Sequence, residues 1–270
     1  MLSASVRALG TCLTTLGPVG AFEGVAEIYE ESRLGYPIEL QTHLVDTGAL
    51  TRHSLVVDLG AGTGQLVRLV AAVAARVVAI EPEADMLGVG QQVTGGLSNV
   101  RWVQGRDSDL RRHFAAGEID LVMIGNAFHQ MDQRRLLQDL DLLVSPDGAV
   151  CIAVSSVPVW LQDSDWSLAL RSALEDELGP LDGSGVPDTD ANAAVLIDSA
   201  FSDVSVWSFE QPGTRTCECV LGEIVSSASG RLSRPVLDRL RDAIEPFADH
   251  GEFPEVVRTT GAIASRPNRS

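Results

Sequence analysis

The stretch LVVDLGAGTGQL, residues 55–66, constrains the fold of this chain more than any other. An apolar run that contains an acid, Asp58, is followed by glycines at three alternate positions, Gly60, Gly62 and Gly64. Because glycine has no Cβ, it reaches backbone conformations with positive φ and lets a ligand approach the main chain closely. The pattern therefore predicts a strand that ends in a sharp turn against a bound molecule.

Two kinds of ligand commonly bind such a turn: a dinucleotide, and a nucleoside without a pyrophosphate. The dinucleotide pattern G-x-G-x-x-G requires a third glycine where this chain has Gln65. Asp58 would repel a pyrophosphate, whereas an acid at this position suits a cationic group. Glu81 ends the next strand, where a carboxylate can accept hydrogen bonds from both ribose hydroxyls. Since NAD uses the same geometry, an NAD-dependent dehydrogenase stays an alternative.

Short apolar runs alternate with amphipathic stretches of helical length from residue 55 onwards, which is typical of parallel strands joined by crossover helices. The Pro and Gly of SPDG, 145–148, predict a turn between the last of these helices and the fifth strand. Later, 201–209 and 255–265 predict two further strands, with a helix near 235–247 between them. The first five strands are predicted at 55–59, 77–80, 100–103, 121–125 and 149–155, and the helices at 65–75, 83–92 and 132–144.

Composition narrows the function. The 20 basic residues are all Arg, which removes Schiff-base chemistry and a P-loop lysine. The net charge of -17 disfavours nucleic acid and anionic membrane surfaces as partners, and no apolar run is long enough to span a membrane. A small neutral or cationic substrate is expected. Four scattered cysteines predict a reducing cytoplasm rather than a disulfide scaffold, and Cys217 and Cys219 are expected on one face of a strand, as a poor metal site.

The glycine turn and the acid after the second strand together resemble the class I S-adenosylmethionine-dependent methyltransferases. The resemblance implies an α/β, Rossmann-like seven-stranded sheet whose last strand is antiparallel, with helical insertions forming a substrate lid. We expect residues 1–25 to be a leader or lid and 26–270 to be one domain. Its cofactor-binding core is expected at 50–156, and its substrate-shaping insertions at about 157–200 and 212–252.

The resemblance also implies which residues bind S-adenosylmethionine and its product S-adenosylhomocysteine. The glycine loop is expected against the methionyl part, Glu81 on the ribose, and Pro82 and Met86 beside the adenine. The loop after the third strand usually supplies an acid for the adenine amino group, but Arg106 stands at the expected place, so Asp107 with Ser108 is preferred over Asp109. The cofactor residues expected in these three stretches are Asp58, Gly60, Ala61, Gly62, Gly64, Glu81, Pro82, Met86, Asp107 and Ser108.

Two further stretches resemble bacterial small-molecule methyltransferases. YEESRLGYP, 29–37, is similar to a lead-in that covers the cofactor there, so Tyr29 and Arg33 are expected at the cofactor, Arg33 on the methionyl carboxylate, and Tyr36 at the substrate. IGNAFHQMD, 124–132, is similar to the end of their fourth strand, although Gln130 replaces the usual Trp. From this region and the stretch after the fifth strand, we expect Asn126 at the cofactor, His129 as catalytic base, and Phe128, His129 and Trp160 at the substrate, with no metal.

His129 follows the fourth strand, at the edge where open α/β sheets place their sites. A base there would activate a phenol, enol or acidic carbon. The alternatives are substrate positioning and a purely structural role, and Asn126 equally fits a structural cap. The expected function is methyl transfer to a small molecule, to oxygen first and to carbon or nitrogen otherwise, in bacterial specialised metabolism. A non-methylating cyclisation or rearrangement by the same fold, or a regulatory subunit that only binds the cofactor, stays open.

Overall fold

The computed structural model describes residues 24–155, 157–181, 187–228 and 232–267. The leader or lid expected at 1–25 lies outside the described residues, apart from its last two. Within the described part, no helix is both long and apolar enough to cross a membrane.

Helices and strands alternate through the first half of the chain, and two long strands appear in the second half. The helices are α1 Ala26–Ser32, α2 Ile38–Asp46, α3 Gln65–Ala71, α4 Ala84–Val93, α5 Leu110–His113, α6 Gln133–Leu143, α7 Asp165–Leu178, α8 Thr189–Ile197, α9 Cys217–Ser227 and α10 Arg234–Ile244. The strands are β1 Leu55–Leu59, β2 Arg76–Glu81, β3 Val100–Gln104, β4 Ile119–Gly125, β5 Val144–Ser155, β6 Asp203–Thr216 and β7 Glu252–Ser265.

The seven strands form one sheet in the order β3-β2-β1-β4-β5-β7-β6. Strands β1 to β5 are parallel to their neighbours, whereas β7 runs antiparallel to β5, with Ala149 opposite Ser265 and Ser155 opposite Thr259. The predicted fold class is therefore confirmed. The order reverses between β1 and β4, and sheets of this type bind ligands at the carboxyl ends of the strands beside such a reversal.

The chain divides into two compact units. One unit contains residues 35–155, 187–209 and 259–267, and it includes strands β1 to β5. Two apolar clusters line the faces of its sheet, one around Val57, Ile80 and Ile124, the other around Val56, Ala79 and Met123. Burial on both faces explains why these strands are continuous apolar runs rather than alternating ones.

The other unit contains the described residues up to 34, 157–181 and 210–258. Its core is a third apolar cluster, supplied by α7, α9 and α10 and by Phe253 of β7. Trp166 of α7 lies 5.5 Å from Phe253, ring centre to ring centre, and its Nε1 donates a hydrogen bond to the carbonyl of Pro254. We call this the helical unit and the first the sheet unit.

Two local predictions are wrong. Cys217 and Cys219 do not share a strand face, because Cys217 is the first residue of helix α9, whose N-cap Thr216 accepts a hydrogen bond from the Cys219 N–H. The SPDG segment is not a turn ahead of the fifth strand, because β5 already begins at Val144. Ile119 pairs with Val144 and Leu121 with Ala149, so residues 145–148 bulge opposite one residue of β4.

Candidate active site

The loop after β1 adopts the backbone conformations that its glycines predict. Gly60, Gly62 and Gly64 have φ values of 71°, 55° and 88°. These lie in the left-handed region, which side chains other than glycine rarely adopt. The amides of Gly60 and Ala61 donate hydrogen bonds to the carbonyl of Ile80 on β2, which fixes the start of the loop across the end of the sheet.

Gly60 also lies against the segment that follows β4. A Cβ added to Gly60 would stand 2.7 Å from Cβ of Ala127 and 3.3 Å from Cε of Met131. Gly62 has no such neighbour within 4 Å. The glycine loop and the segment that carries His129 are therefore in direct contact at the carboxyl edge of the sheet.

Asp58, near the end of β1, is a fully buried acid of the sheet unit. It is 1% exposed, and neither carboxylate oxygen has a hydrogen-bond partner among the described residues. Burial, and secondarily the charge of Glu81, raise the pKa of Asp58 to about 8, while the nearby backbone amide of Val67 lowers that pKa to a smaller extent. An ionised carboxylate left without partners in such a place is costly, so the site is built to receive a positive charge or to hold a proton.

Glu81 connects the second strand to the loop. Its Oε2 accepts a hydrogen bond of 2.7 Å from the amide of Gly62, and its Oε1 accepts one of 2.9 Å from the amide of Glu83. Burial raises the pKa of Glu81, while these two amides oppose that rise. The expected ribose acid is thus held rigidly beside the glycine loop, on the strand next to that of Asp58.

Trp102 of β3, which the sequence reading did not single out, packs behind the loop. A Cβ on Gly64 would stand 3.0 Å from its ring, and one on Gly90 of α4 only 2.2 Å from it. The indole Nε1 donates a hydrogen bond of 2.9 Å to Oγ1 of Thr94. Glycines within helix α4 were the available signal, because a helical glycine often marks a close approach by a neighbouring group.

Asn126, which begins the segment after β4, has a φ of 52° and uses its side-chain amide within the protein. Its Nδ2 donates to Oγ of Ser155, and its Oδ1 accepts from the amide of Ser155. These bonds join the ends of β4 and β5. The cofactor role expected for Asn126 stays a prediction beside this structural one.

His129 lies in a 3-10 turn, 128–130, and is partly buried. Neither ring nitrogen has a hydrogen-bond partner within the part of the chain that the structure describes. Burial lowers the pKa of His129, so the ring is neutral at pH 7. The neighbouring Phe128 is 2% exposed in the apolar core, so its substrate role stays a prediction.

Tyr36, in the segment before α2, reaches the same edge of the sheet. Its hydroxyl would lie 2.4 Å from a Cβ placed on Gly125, the last residue of β4. A glycine at that position therefore leaves room for the phenol. The structure brings Tyr36 to the end of the strand that leads to His129, and its substrate role remains a prediction.

The expected adenine residues are distributed around the ends of β2 and β3. Met86 is buried in α4, while Pro82 is half-buried and its carbonyl accepts a hydrogen bond from Gln104. Asp109 accepts hydrogen bonds from the Arg106 amide and from Arg112. The structure describes no such bond to Asp107, which is half-buried beside the exposed Ser108. The preference for Asp107 over Asp109 therefore stays open.

The remaining predicted residues belong to the helical unit. Nη2 of Arg33 donates a hydrogen bond of 2.8 Å to Oγ of Ser227, its Nη1 lies 3.5 Å from Oε1 of Glu223, and its guanidinium stands 5.2 Å from the ring centre of Tyr29. Trp160 is 1% exposed in the apolar cluster of that unit. Nothing in these contacts tests the cofactor and substrate roles expected for the three residues.

The glycine loop fits an S-adenosylmethionine molecule on two observations. Asp58 offers a buried carboxylate that has no hydrogen-bond partner among the described residues. The buried hydroxyl of Thr63, within the loop, also has no such partner there. Gly62 has open space where a Cβ would stand, so a ligand can approach the backbone there closely. The acid favours a cationic ligand.

Comparison with known proteins gives a consistent result. Residues 57–152 match the family model of a methyltransferase domain. A protein of Saccharomyces cerevisiae named as a probable S-adenosylmethionine-dependent methyltransferase is 28% identical over 44% of this chain and 42% of its own length. An uncharacterized methyltransferase of Mycobacterium bovis is 25% identical over 83% of this chain and 85% of its own length.

A third relative is a ubiquinone/menaquinone biosynthesis C-methyltransferase of Rubrivivax gelatinosus, 29% identical over 39% of this chain and 41% of its own length. The chain spans about half the length of the first curated relatives it matches, or less. Among solved structures, a protein of Anaeromyxobacter dehalogenans named as a putative type II methyltransferase has a TM-score of 0.62 at 16% identity, covering 87% of this chain and 97% of that one. That similarity shows the fold.

Proposed function

Because residues 57–152 match a methyltransferase-domain model and the sheet carries the glycine loop described above, we propose that this chain is a class I S-adenosylmethionine-dependent methyltransferase that transfers the cofactor's methyl group to a small molecule. The observation that carries the proposal is the buried carboxylate of Asp58, without a partner among the described residues, beside a loop in which Gly62 leaves open space for a ligand. A sulfonium nucleoside supplies the positive charge that such a carboxylate requires.

When bound, S-adenosylmethionine supplies an electrophilic methyl group on a sulfur that leaves as a neutral thioether. The contribution of the chain is to orient the acceptor and to exclude water, since in-line displacement depends mainly on alignment. The contact between Gly60 and Ala127 joins the cofactor loop to the segment of His129 without an intervening side chain.

We assign His129 as general base and an acceptor oxygen as the methylated atom. The ring is neutral at pH 7, because burial lowers its pKa, and both nitrogens lack partners among the described residues. It can therefore accept a proton from a hydroxyl. A phenol or enol gains most from such a base, because it must lose a proton as it attacks. An amine that is already neutral needs no base, and an acidic carbon is the second choice.

The amino-acid composition and the segment 29–37 support further proposals about the substrate class, the cellular compartment and the metabolic role. A net charge of -17 supports a neutral or cationic small molecule and disfavours nucleic acid. The free thiols of Cys151 and Cys217, both buried, support a reducing cytoplasm. The likeness of the lead-in to bacterial small-molecule methyltransferases supports a role in specialised metabolism.

The proposal is tested by incubating the purified protein with a small-molecule extract and with either ordinary or trideuteromethyl S-adenosylmethionine. We expect a product whose mass differs between the two cofactors by three deuterium substitutions, formed in equal amount with S-adenosylhomocysteine. A product without the label would indicate cyclisation or rearrangement instead. Absence of calorimetric binding of S-adenosylhomocysteine would contradict the proposal altogether, and binding with no turnover on any extract would favour a regulatory subunit.

A further inference from the structure

A cavity lies within the sheet unit, at the opposite edge of the sheet from the glycine loop. It has a volume of about 250 Å³ and opens at the amino ends of β1, β2 and β3. Its lining includes the first residues of these strands, Leu55, Arg76 and Val100. The glycine loop, Glu81 and His129 all lie at or just beyond the carboxyl ends of their strands, so this cavity is separate from the candidate active site.

The cavity exists because one crossover connection is short. The chain passes from β3 to β4 through a single 3-10 turn, 107–109, and the four-residue helix α5. Helix α4, which connects β2 to β3, has ten residues. A four-residue helix is only about 6 Å long, so it leaves the amino ends of β2 and β3 uncovered on its face of the sheet.

The floor of the cavity is apolar, and two arginines stand on the same face. Leu55 and Val78 belong to one apolar cluster, and Phe114 follows α5. Leu55 pairs with Arg76 and Val78 pairs with Arg101 in the parallel register. Paired residues of neighbouring strands project from the same face, so both guanidinium groups stand at the rim above this floor.

The charge at the rim is positive in a chain whose net charge is -17. Arg76 lies 3.9 Å from the carboxylate of Glu118, which is its partner across the cavity mouth. Arg101 is exposed and forms no ion pair with any residue that the structure describes. His113 completes the rim. An apolar floor beneath a guanidinium without an ion pair suits a ligand that has one negative charge and an apolar body. The negative charge of Glu118 at the rim would repel a ligand with several negative charges.

We propose that this cavity is a second binding site, for a small amphipathic carboxylate, with Arg101 as the group that recognises the carboxylate. The apolar body of the ligand lies on Leu55, Val78 and Phe114. The guanidinium of Arg101 donates to the carboxylate, which a planar fork of N–H groups fits well. Site and ligand class are independent of which atom the active site methylates.

The test is isothermal titration of the full chain with 2-naphthoate, compared with its neutral analogue 2-naphthalenemethanol. We expect saturable binding of the carboxylate and at least about tenfold weaker binding of the alcohol. Arg101→Gln should weaken 2-naphthoate binding by about tenfold or more. Arg112→Gln is the matched control, because Arg112 is an exposed arginine of α5 outside the cavity lining, paired with Asp109. It should leave the affinity unchanged.

Binding at the active site must be separated from binding at the new cavity. We expect saturating S-adenosylhomocysteine and the variant His129→Ala to leave the affinity for 2-naphthoate unchanged. Displacement by S-adenosylhomocysteine, equal affinity for the alcohol, or an unchanged affinity in Arg101→Gln would each overturn the proposal. If circular dichroism shows that Arg101→Gln is unfolded, Arg76→Gln takes its place. We expect this variant to bind 2-naphthoate about threefold more weakly, a smaller effect because Arg76 already pairs with Glu118. An unchanged affinity of Arg76→Gln would then overturn the proposal.

Discussion

Cβ of Ala127 lies 2.7 Å from the point where a Cβ on Gly60 would be. This contact joins the loop after β1 to the segment after β4, at the reversal of the strand order. Because β1 and β4 are direct neighbours, their carboxyl ends meet, and the two loops can pack only if one of them has no side chain there. The glycine loop and the segment that carries the proposed base are therefore packed against each other.

Gly60→Ala should lose cofactor binding, whereas Gly62→Ala should retain most of it. Both residues have positive φ, so each alanine costs about 1–2 kcal/mol in backbone conformation. Only the alanine at 60 also strikes Ala127, while the space at 62 is open. Calorimetric titration with S-adenosylhomocysteine measures the difference. Equal affinities of the two variants would show that the contact with Ala127 has no role in shaping the site.

Asp58→Asn should weaken binding of the cationic cofactor more than binding of its product, whose sulfur is neutral. The buried carboxylate can stabilise a sulfonium, but it gains little from the thioether of S-adenosylhomocysteine. We expect the variant to lose at least about tenfold in affinity for S-adenosylmethionine and clearly less for S-adenosylhomocysteine. Competition binding with both compounds provides the measurement. A parallel loss for both would place the carboxylate away from the sulfonium.

The same carboxyl group should also make the stability of the free protein depend on pH. Its pKa is about 8 in the folded chain and 3.8 as an ordinary aspartate. Between these values the folded state keeps a proton that the unfolded chain releases, so the free energy of unfolding falls as pH rises through this window. Asp58→Asn removes this contribution. Urea unfolding at about pH 5 and about pH 8 should show a shallower decline in the variant than in the wild type, and identical declines would contradict the raised pKa.

His129→Ala should reduce kcat by about 100-fold with an unchanged affinity for the cofactor, because a general base contributes to proton removal and not to cofactor binding. In the wild type, kcat should fall on the acid side as the imidazole takes up a proton. Burial lowers the pKa of His129, so this fall should have its midpoint below the ordinary 6.5. His129→Gln is the control for shape. A kcat as high as that of the wild type in the glutamine variant would make His129 a positioning residue rather than a base.

Arg215→Met should strongly destabilise the helical unit. Arg215 is buried and donates hydrogen bonds to the buried carboxylates of Glu255 and Glu223, at 2.6 and 2.7 Å. Removing the guanidinium leaves both acids without their main counter-ion, which costs about 3–5 kcal/mol. Arg258→Met is the matched control, because Arg258 and its partner Glu210 are both exposed and their pair contributes about 1 kcal/mol at most. Urea unfolding measures both, and similar losses would contradict this account.

The amino-acid sequence by itself determined the order of strands and helices and the place of the glycine loop. Buried parallel strands read as apolar runs, and a backbone with positive φ requires glycine, so both leave local signals. Asp58 and Glu81 could be predicted as site residues from the sequence, because each stands at or next to the end of a strand that the sequence already indicates.

Tertiary structure alone decided what the side chains contact. That Asp58 lacks a partner among the described residues, that Asn126 bonds Ser155, and that Trp102 packs on Gly64 all depend on neighbours distant in the chain. The helix at Cys217 and the bulge at 145–148 were mispredicted because strand and turn propensities are weak and tertiary packing overrides them. The cavity beside Arg101 also had no local signal, because it results from the shortness of α5 relative to the strands it should cover.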